Sequence, residues 1–203
     1  MNVKINFLMK KNIFFFNYNK KKPLKNPEDL NLVSNLILKI FPEYYKCFKT
    51  SDHKLKKIIT KLLFNKNSEF EKLYVMKLGN YLIGIATIIK SKKLKVSKTL
   101  GFLKMVDSLG IENVDKRKVI KLSKSFSKIK SSKPYLTRFG INPDYRGKRN
   151  YSSIFMNYVL KKQKKKLVAH VNKYNKRALN FYLKNNFKII DRRKSFYLIE
   201  YKP

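Results

Sequence analysis

Apolar positions along this chain change their period several times, and each change marks an element. Ile13 to Tyr18 is a continuous β-prone run closed by a Lys/Pro turn, so a strand is expected there. A shorter apolar run, Phe7-Leu8-Met9, is cut off from it by Lys10, Lys11 and Asn12, and at most adds a second core strand. Asn26-Pro27-Glu28-Asp29 has the makings of a helix start: a capping Asn, Pro at the first helical position and two acids facing the positive end of the helix dipole. Leu30, Val33, Leu36, Ile37 and Ile40 then recur at helical spacing. Ser51 is placed to cap a second helix whose apolar face is Leu55, Ile58, Ile59, Leu62 and Leu63. Leu73 to Leu78 and Leu82 to Ile89 flank Gly79-Asn80, which reads as a β-hairpin.

Residues 91–133 are less regular. Helical stretches are expected near Leu100–Leu109 and near Lys116–Ile129, with Gly110 breaking between them. Clear punctuation then returns. Tyr135 to Ile141 reads as a strand and Asn142-Pro143-Asp144 as a turn. Ser152 to Lys161 is helical, Leu167 to Val171 a strand and Lys176 to Lys184 a helix. Phe187 to Ile190 and Ser195 to Tyr201 are closing strands. No internal repeat is visible. The order β-α-α-β-β-insertion-β-α-β-α-β-β predicts an α/β domain spanning residues 1–203, with a mixed central sheet, helices packed on it and an insertion at 91–133.

Composition sharpens this picture in two places. With 203 residues and 43% hydrophobic content, the chain can bury a real core and is not a disordered tail. The 49 Lys+Arg against 12 Asp+Glu give a formal net charge of +37. Such a charge suits a polyanion partner, nucleic acid or an anionic membrane surface. It also suits a biased codon usage, because Lys, Asn, Ile, Phe and Tyr are abundant and Trp is absent. The lysines are spread along the whole chain, which favours the second account, and either way the field attracts an anionic ligand. The single cysteine, Cys47, excludes an intramolecular disulfide and reads as a small buried hydrophobe. No apolar run approaches the ~20 residues of a membrane span, and no small-residue cleavage site follows the N-terminal runs. A soluble, cytoplasmic protein without membrane association is expected.

Two blocks carry chemistry. The first is Leu136-Thr137-Arg138-Phe139-Gly140-Ile141-Asn142-Pro143-Asp144-Tyr145-Arg146-Gly147-Lys148. A strand ends, a Pro turn follows, and Arg-Gly-Lys precedes a helix. Successive backbone N–H groups at such a junction can hold an anion, and Arg146 and Lys148 add fixed positive charge; the plain alternative is an ordinary basic turn. The second block runs from Val171 to Phe187. Asn175 stands where a helix would be capped, and Ala178, Phe181 and Tyr182 fall on neighbouring faces of that helix.

Together the blocks resemble the GNAT superfamily of N-acetyltransferases. Ile-x-Pro-x-Tyr-Arg-Gly-Lys looks like that family's pyrophosphate loop, and Val-x-x-x-Asn-x-x-Ala-x-x-Phe-Tyr-x-x-x-Asn-Phe looks like the motif that follows it. The resemblance is good over residues 135–190 and holds by element order alone over 27–90. It implies a GNAT-type acyl-CoA N-acyltransferase fold, with helices on both faces of the sheet, and acetyl-CoA as co-substrate. The partners implied are acetyl-CoA and a primary amine that attacks the thioester directly; no metal is implied. By position, Phe139, Gly140 and Ile141 would offer backbone groups to the pantetheine arm. Arg146, Gly147, Lys148, Arg149, Asn150, Tyr151 and Ser152 would cradle the pyrophosphate. Asn175 would hydrogen-bond the cofactor arm, and Tyr182 would protonate the departing thiolate, its ordinary pKa of ~10 being comparable to that of the thiol. Counted from Arg146, the family's two loop glycines are replaced by Arg149 and Tyr151, and the glycine expected before Phe187 is Asn186.

A general base is not readable. Glu69, Glu71 and Glu43 are candidates by rough position, with a solvated surface acid as the plainer reading of each. His53 reads as exposed and His170 as a partly buried structural residue, and no Cys/His/Asp cluster has metal-ligand spacing. The insertion at 91–133 would lie near the acceptor. The alternative function is a catalytically degenerate GNAT-fold basic module contacting RNA or another polyanion, although the aromatic residues follow core periodicities and do not alternate with lysines on one face. A third reading is transfer of a longer acyl chain.

Overall fold

Asn26 does cap the first helix: its Oδ1 accepts the Glu28 N–H at 2.9 Å. That helix, α1 (Pro27–Ile40), buries Val33, Leu36, Ile37 and Ile40. A short helix, α2 (Pro42–Tyr45), follows it directly and was not anticipated from the sequence. Ser51 caps α3 (Asp52–Leu62) by accepting the Lys54 N–H. In the insertion, α4 spans Leu94–Leu109, a turn and a half earlier than its apolar spacing suggests, because lysines fill its first turns. Helices α5 (Tyr151–Lys161) and α6 (Lys176–Lys184) occupy the expected places in the last third. The computed structural model describes residues 13–19, 24–63, 68–70, 72–119 and 133–203. The strand expected at Phe7-Leu8-Met9, the second insertion helix beyond residue 119, and Glu71 lie outside them.

Among the described residues, seven strands form one mixed sheet in the order β1-β2-β3-β4-β5-β7-β6. They are β1 (Ile13–Asn19), β2 (Lys72–Leu78), β3 (Tyr81–Lys90), β4 (Pro134–Ile141), β5 (Leu167–Asn172), β6 (Phe187–Arg192) and β7 (Phe196–Tyr201). All neighbours pair antiparallel except β4 and β5. Alternation along the strands sends side chains to two separate cores. Leu73, Val75, Leu82 and Ile85 meet α1, α3 and α4 on one face. Tyr74, Met76, Ile83 and Ala86 meet Phe155, Met156 and Val159 of α5, with Tyr182 of α6, on the other. The sheet therefore has helices on both faces, as expected. Among the described residues, no helix is long and apolar enough to cross a membrane.

Two irregularities of the sheet lie side by side on β4. The β3–β4 register shifts between Thr87 and Ile88, which pair with Arg138 and Leu136, so Thr137 is an extra residue in β4. Such a bulge bends a strand and re-aims its neighbours; here Thr137 Oγ1 donates to the Thr87 carbonyl at 3.1 Å. Next to it, β4 and β5 register at one pair alone, Tyr135 with Val168. Beyond that pair the two parallel strands lie side by side without a ladder.

Candidate functional site

The split between β4 and β5 opens into a cavity of about 360 Å³. Its walls are Phe139, Gly140 and Ile141 of β4, Ile40 and Phe41 at the end of α1, Arg146 of the loop into α5 and Ser152 of its first turn, the capping Asn175, and Arg177, Ala178, Phe181 and Tyr182 of α6. The two sequence blocks, remote along the chain, thus face one another across one space. Phe139 anchors the floor by stacking on Phe155 and Phe181, each at 5.4 Å between ring centroids. Gly140 has a steric reason to be glycine: a Cβ there would lie 2.2 Å from Cγ2 of Ile40, so the end of α1 can pack onto the strand only if no side chain intervenes.

Seven of the residues assigned from the sequence line this cavity: Phe139, Gly140, Ile141, Arg146, Ser152, Asn175 and Tyr182. Gly147, Lys148, Arg149 and Asn150 form the exposed loop at its mouth. Tyr151 is different. Its ring is buried, 4% exposed, and packs edge-on against Tyr145 at 6.3 Å. A tyrosine at this glycine position therefore does not crowd the mouth, because its side chain is committed to the core. Arg149 accommodates the other replacement by its backbone: φ is 47° at Arg149 and 53° at Asn150, the left-handed region that glycine enters freely. The turn takes a backbone conformation that glycine would enter without strain and that costs Arg149 some. The amides of Arg146, Lys148 and Tyr151 are used in turn bonds to the carbonyls of Pro143, Tyr145 and Lys148. Helix α5 has no side-chain cap, so its first N–H groups point to the loop without an intrahelical partner.

Asn175 caps α6, with Oδ1 accepting the Ala178 N–H at 3.0 Å. Its carboxamide is held in the cavity wall and only its Nδ2 donors remain for another partner. Tyr182 is 9% exposed and packs edge-on against Phe181 and Phe187 at 5.6 and 5.1 Å. Burial pushes its phenol well above the ordinary value. The expected match between an ordinary phenol and a thiol is therefore corrected: Tyr182 is the weaker acid and stays protonated at every pH near neutrality.

The opposite side of β4 holds a cluster that sequence reasoning missed. Glu69 is buried, 7% exposed, and not the solvated acid expected. Its Oε2 lies 2.5 Å from Nη1 of Arg138 and 3.5 Å from Nζ of Lys98, on α4. The Arg138 guanidinium sits among the rings of Tyr44 at 4.8 Å, Phe70 at 4.9 Å and Phe41 at 5.6 Å, and donates to the Tyr45 hydroxyl at 3.2 Å. Burial alone would raise the Glu69 carboxyl, but Arg138 and Lys98 outweigh it and hold it below the usual range. Burial pulls Lys98 down to about 8 against the opposing pull of Glu69. A carboxylate so paired is a poor proton acceptor near neutral pH. Glu43 is exposed and pairs with Lys46. His53 is exposed, and Cys47 is buried. His170 is partly buried as expected: Nδ1 lies 2.9 Å from the Tyr135 hydroxyl, and burial depresses its pKa to about 4.

Comparison with protein-family models finds no match, and comparison with curated protein sequences finds none. Solved structures do match. An acetyltransferase structure aligns with a TM-score of 0.65 at 13% identity, covering 93% of this chain and 98% of its own. An N-acetyltransferase from Staphylococcus aureus aligns with a TM-score of 0.64 at 14% identity, covering 91% and 99%. The PaiA N-acetyltransferase of Thermoplasma acidophilum, in complex with coenzyme A, aligns with a TM-score of 0.51 at 16% identity, covering 94% and 99%. At such identities the likeness is one of fold: this chain has the GNAT fold, as its two motif blocks imply.

Proposed function

On the fold it shares with N-acetyltransferases, we propose that this chain transfers an acetyl group from acetyl-CoA to a primary amine by direct attack on the thioester. The observation that carries the reading is the β4–β5 cavity. Both motif blocks converge on it, its inner walls are apolar, and its mouth holds arginines with no carboxylate among the described lining residues. Coenzyme A in the Thermoplasma acidophilum relative supports the same donor here.

In this reading the pantetheine arm lies along Phe139–Ile141, where β5 makes no ladder and backbone groups not already paired with β3 or, at the Ile141 carbonyl, with Arg146 can meet the arm's amides. The phosphates remain at the mouth, near Arg146 and the N-terminal turn of α5. The amine nitrogen attacks the thioester carbonyl carbon, a C–N bond forms and the C–S bond breaks. One proton leaves the attacking nitrogen and one arrives on sulfur. Tyr182 is the proposed donor of the second. Its protonated phenol sits in an apolar wall, and an acid weak at rest transfers its proton only as charge builds on sulfur. The neutral amine needs no covalent intermediate. The uptake of its proton is not assigned to Glu69, which is locked between two cations.

The test is turnover. Acetyl-CoA is incubated with a panel of amines (small amines, amino sugars, peptide N-termini, lysine) and free thiol is read. Amine-dependent thiol release supports the reading. Coenzyme A binding without release for any amine would favour the degenerate module, and absence of coenzyme A binding would remove the donor assignment.

A further inference from the structure

Arg177 belongs to none of the positions implied by the resemblance, yet it lines the cavity opposite Arg146. It stands on the first turn of α6, two residues after the capping Asn175, and reaches back over the loop: a Cβ added to Gly147 would lie 4.0 Å from its Nη2. Arg146 approaches from the other wall and is fixed in place, its Nε donating to the Ile141 carbonyl at 3.0 Å, which leaves its terminal nitrogens for the mouth. The two guanidinium groups are close enough to affect each other: partial burial first, then the charge of Arg177, lowers the pKa of Arg146. Among the described residues no acid separates them. The described residues of the cavity lining include none, and the nearby Asp144 is held by Lys39 at 2.5 Å. Two exposed like charges aimed at one mouth cost little while water screens them, yet together they favour a multiply charged anion between them, and planar guanidinium forks match phosphate oxygens in geometry.

We propose that Arg146 and Arg177 form a two-sided side-chain clamp for the diphosphate of the donor. The clamp performs in this chain what close backbone approach performs where a phosphate loop is glycine-rich. The loop itself motivates this division of labour. Arg149 and Asn150 keep the left-handed turn but carry side chains there, and Tyr151 is committed to the core. Recognition then moves from amides to two charged forks, one from the loop and one from α6. The clamp makes the phosphate end, more than the pantetheine arm, the selected part of the donor, and it makes binding steeply dependent on ionic strength, since both arginines are exposed at the mouth.

The clamp rests on the acetyl-CoA reading, and the experiment separates the two. Calorimetry is run with coenzyme A, with pantetheine, which lacks the diphosphate, and with inorganic pyrophosphate, on the wild type, Arg177→Gln and Arg177→Lys. Circular dichroism checks that the fold is kept; Arg177 is exposed, so the helix should tolerate both changes. The clamp predicts that Arg177→Gln weakens coenzyme A by roughly ten- to a hundredfold, the worth of a charge-assisted contact. Arg177→Lys should recover part of that loss, and pantetheine should bind all three proteins alike. Unchanged coenzyme A affinity in Arg177→Gln overturns the clamp, and so does an equal loss for pantetheine. If the wild type ignores coenzyme A altogether, the donor reading fails, and pyrophosphate decides the clamp alone: binding that disappears in Arg177→Gln supports it, and no pyrophosphate binding overturns it.

Discussion

The two sides of β4 treat charge in opposite ways. At the mouth of the β4–β5 cavity Arg146 and Arg177 are exposed and face each other, with no acid between them among the described residues. Behind the same strand Arg138 and Lys98 are buried around one carboxylate, Glu69, and walled by aromatic rings. The first arrangement is incomplete without an anion, whereas the second brings its own. Exposed like charges cost little while water screens them, so they can wait for a ligand. Buried charges must be paired at once, so they hold structure. The difference separates a binding surface from a fastening, here one that ties the α1–α2 turn, the stretch before β2, the insertion helix α4 and the bulged strand β4 together beside the cavity.

The largest effect expected on the cavity side belongs to Tyr182. Tyr182→Phe keeps the ring and its packing, so coenzyme A affinity should change little, while turnover should fall by roughly 10²–10⁴-fold, as for a positioned acid. Steady-state kinetics with a fixed amine reads the split; full activity in the Phe variant would reduce Tyr182 to a packing residue. Because the raised phenol remains protonated, the wild type should also show no alkaline loss of activity from this group between pH 7 and 10.

On the fastening side, Arg138→Met strands Glu69 in the interior. Removing one partner of a buried pair costs about 3–5 kcal/mol, and the denaturant midpoint should drop accordingly. A loss below about 1 kcal/mol, typical of an exposed pair, would mean that the cluster is wet and the comparison false.

His170 gives a smaller and pH-dependent effect. It faces Tyr135, with Arg193, Asp191 and Lys98 as its charged neighbours. Its folded pKa of about 4 lies below the ordinary 6.5, so the unfolded chain binds more protons between those values. Its contribution is complete above pH 6.5 and is lost as pH falls towards 4, on the order of 3 kcal/mol in all. His170→Gln should flatten the stability profile in that window; an unchanged slope would assign the acid sensitivity to other groups.

The smallest effect is a gain. Arg149→Gly removes a left-handed arginine worth about 1–2 kcal/mol of strain and adds the entropy of a glycine, about 0.5–1 kcal/mol. Net stability should rise by a few tenths to about 1 kcal/mol, and coenzyme A should bind no worse. Weaker binding would show that the Arg149 side chain, and not only the Arg146–Arg177 pair, meets the phosphates.

The same contrast explains what the sequence disclosed. The cavity side was legible because each half is a contiguous block: a strand, Pro turn and basic loop, then a capped helix that carries Phe181-Tyr182. Caps at Asn26, Ser51 and Asn175 depend on neighbours two or three residues away and were readable for the same reason. The fastening was not. Glu69 stands in a polar stretch that reads as surface, and its burial is decided by Arg138 and Lys98, which come from other elements. Helix α4 was placed too short because its lysines include Lys98, which turns inward. Arg177 lay in plain view within the second block, but a charged residue in a first helical turn says nothing until the loop folds beneath it.

The central claim is that the donor binds in the β4–β5 split while the charged cluster behind it stays as it is. Backbone NMR titration with coenzyme A tests this most directly. Shifts are expected at Phe139, Gly140 and Ile141, across Arg146–Ser152, and at Asn175, Arg177, Ala178 and Tyr182. Much smaller changes are expected at Glu69, Phe70 and Lys98. Saturation without shifts in the first group, or shifts concentrated on the second, would contradict it.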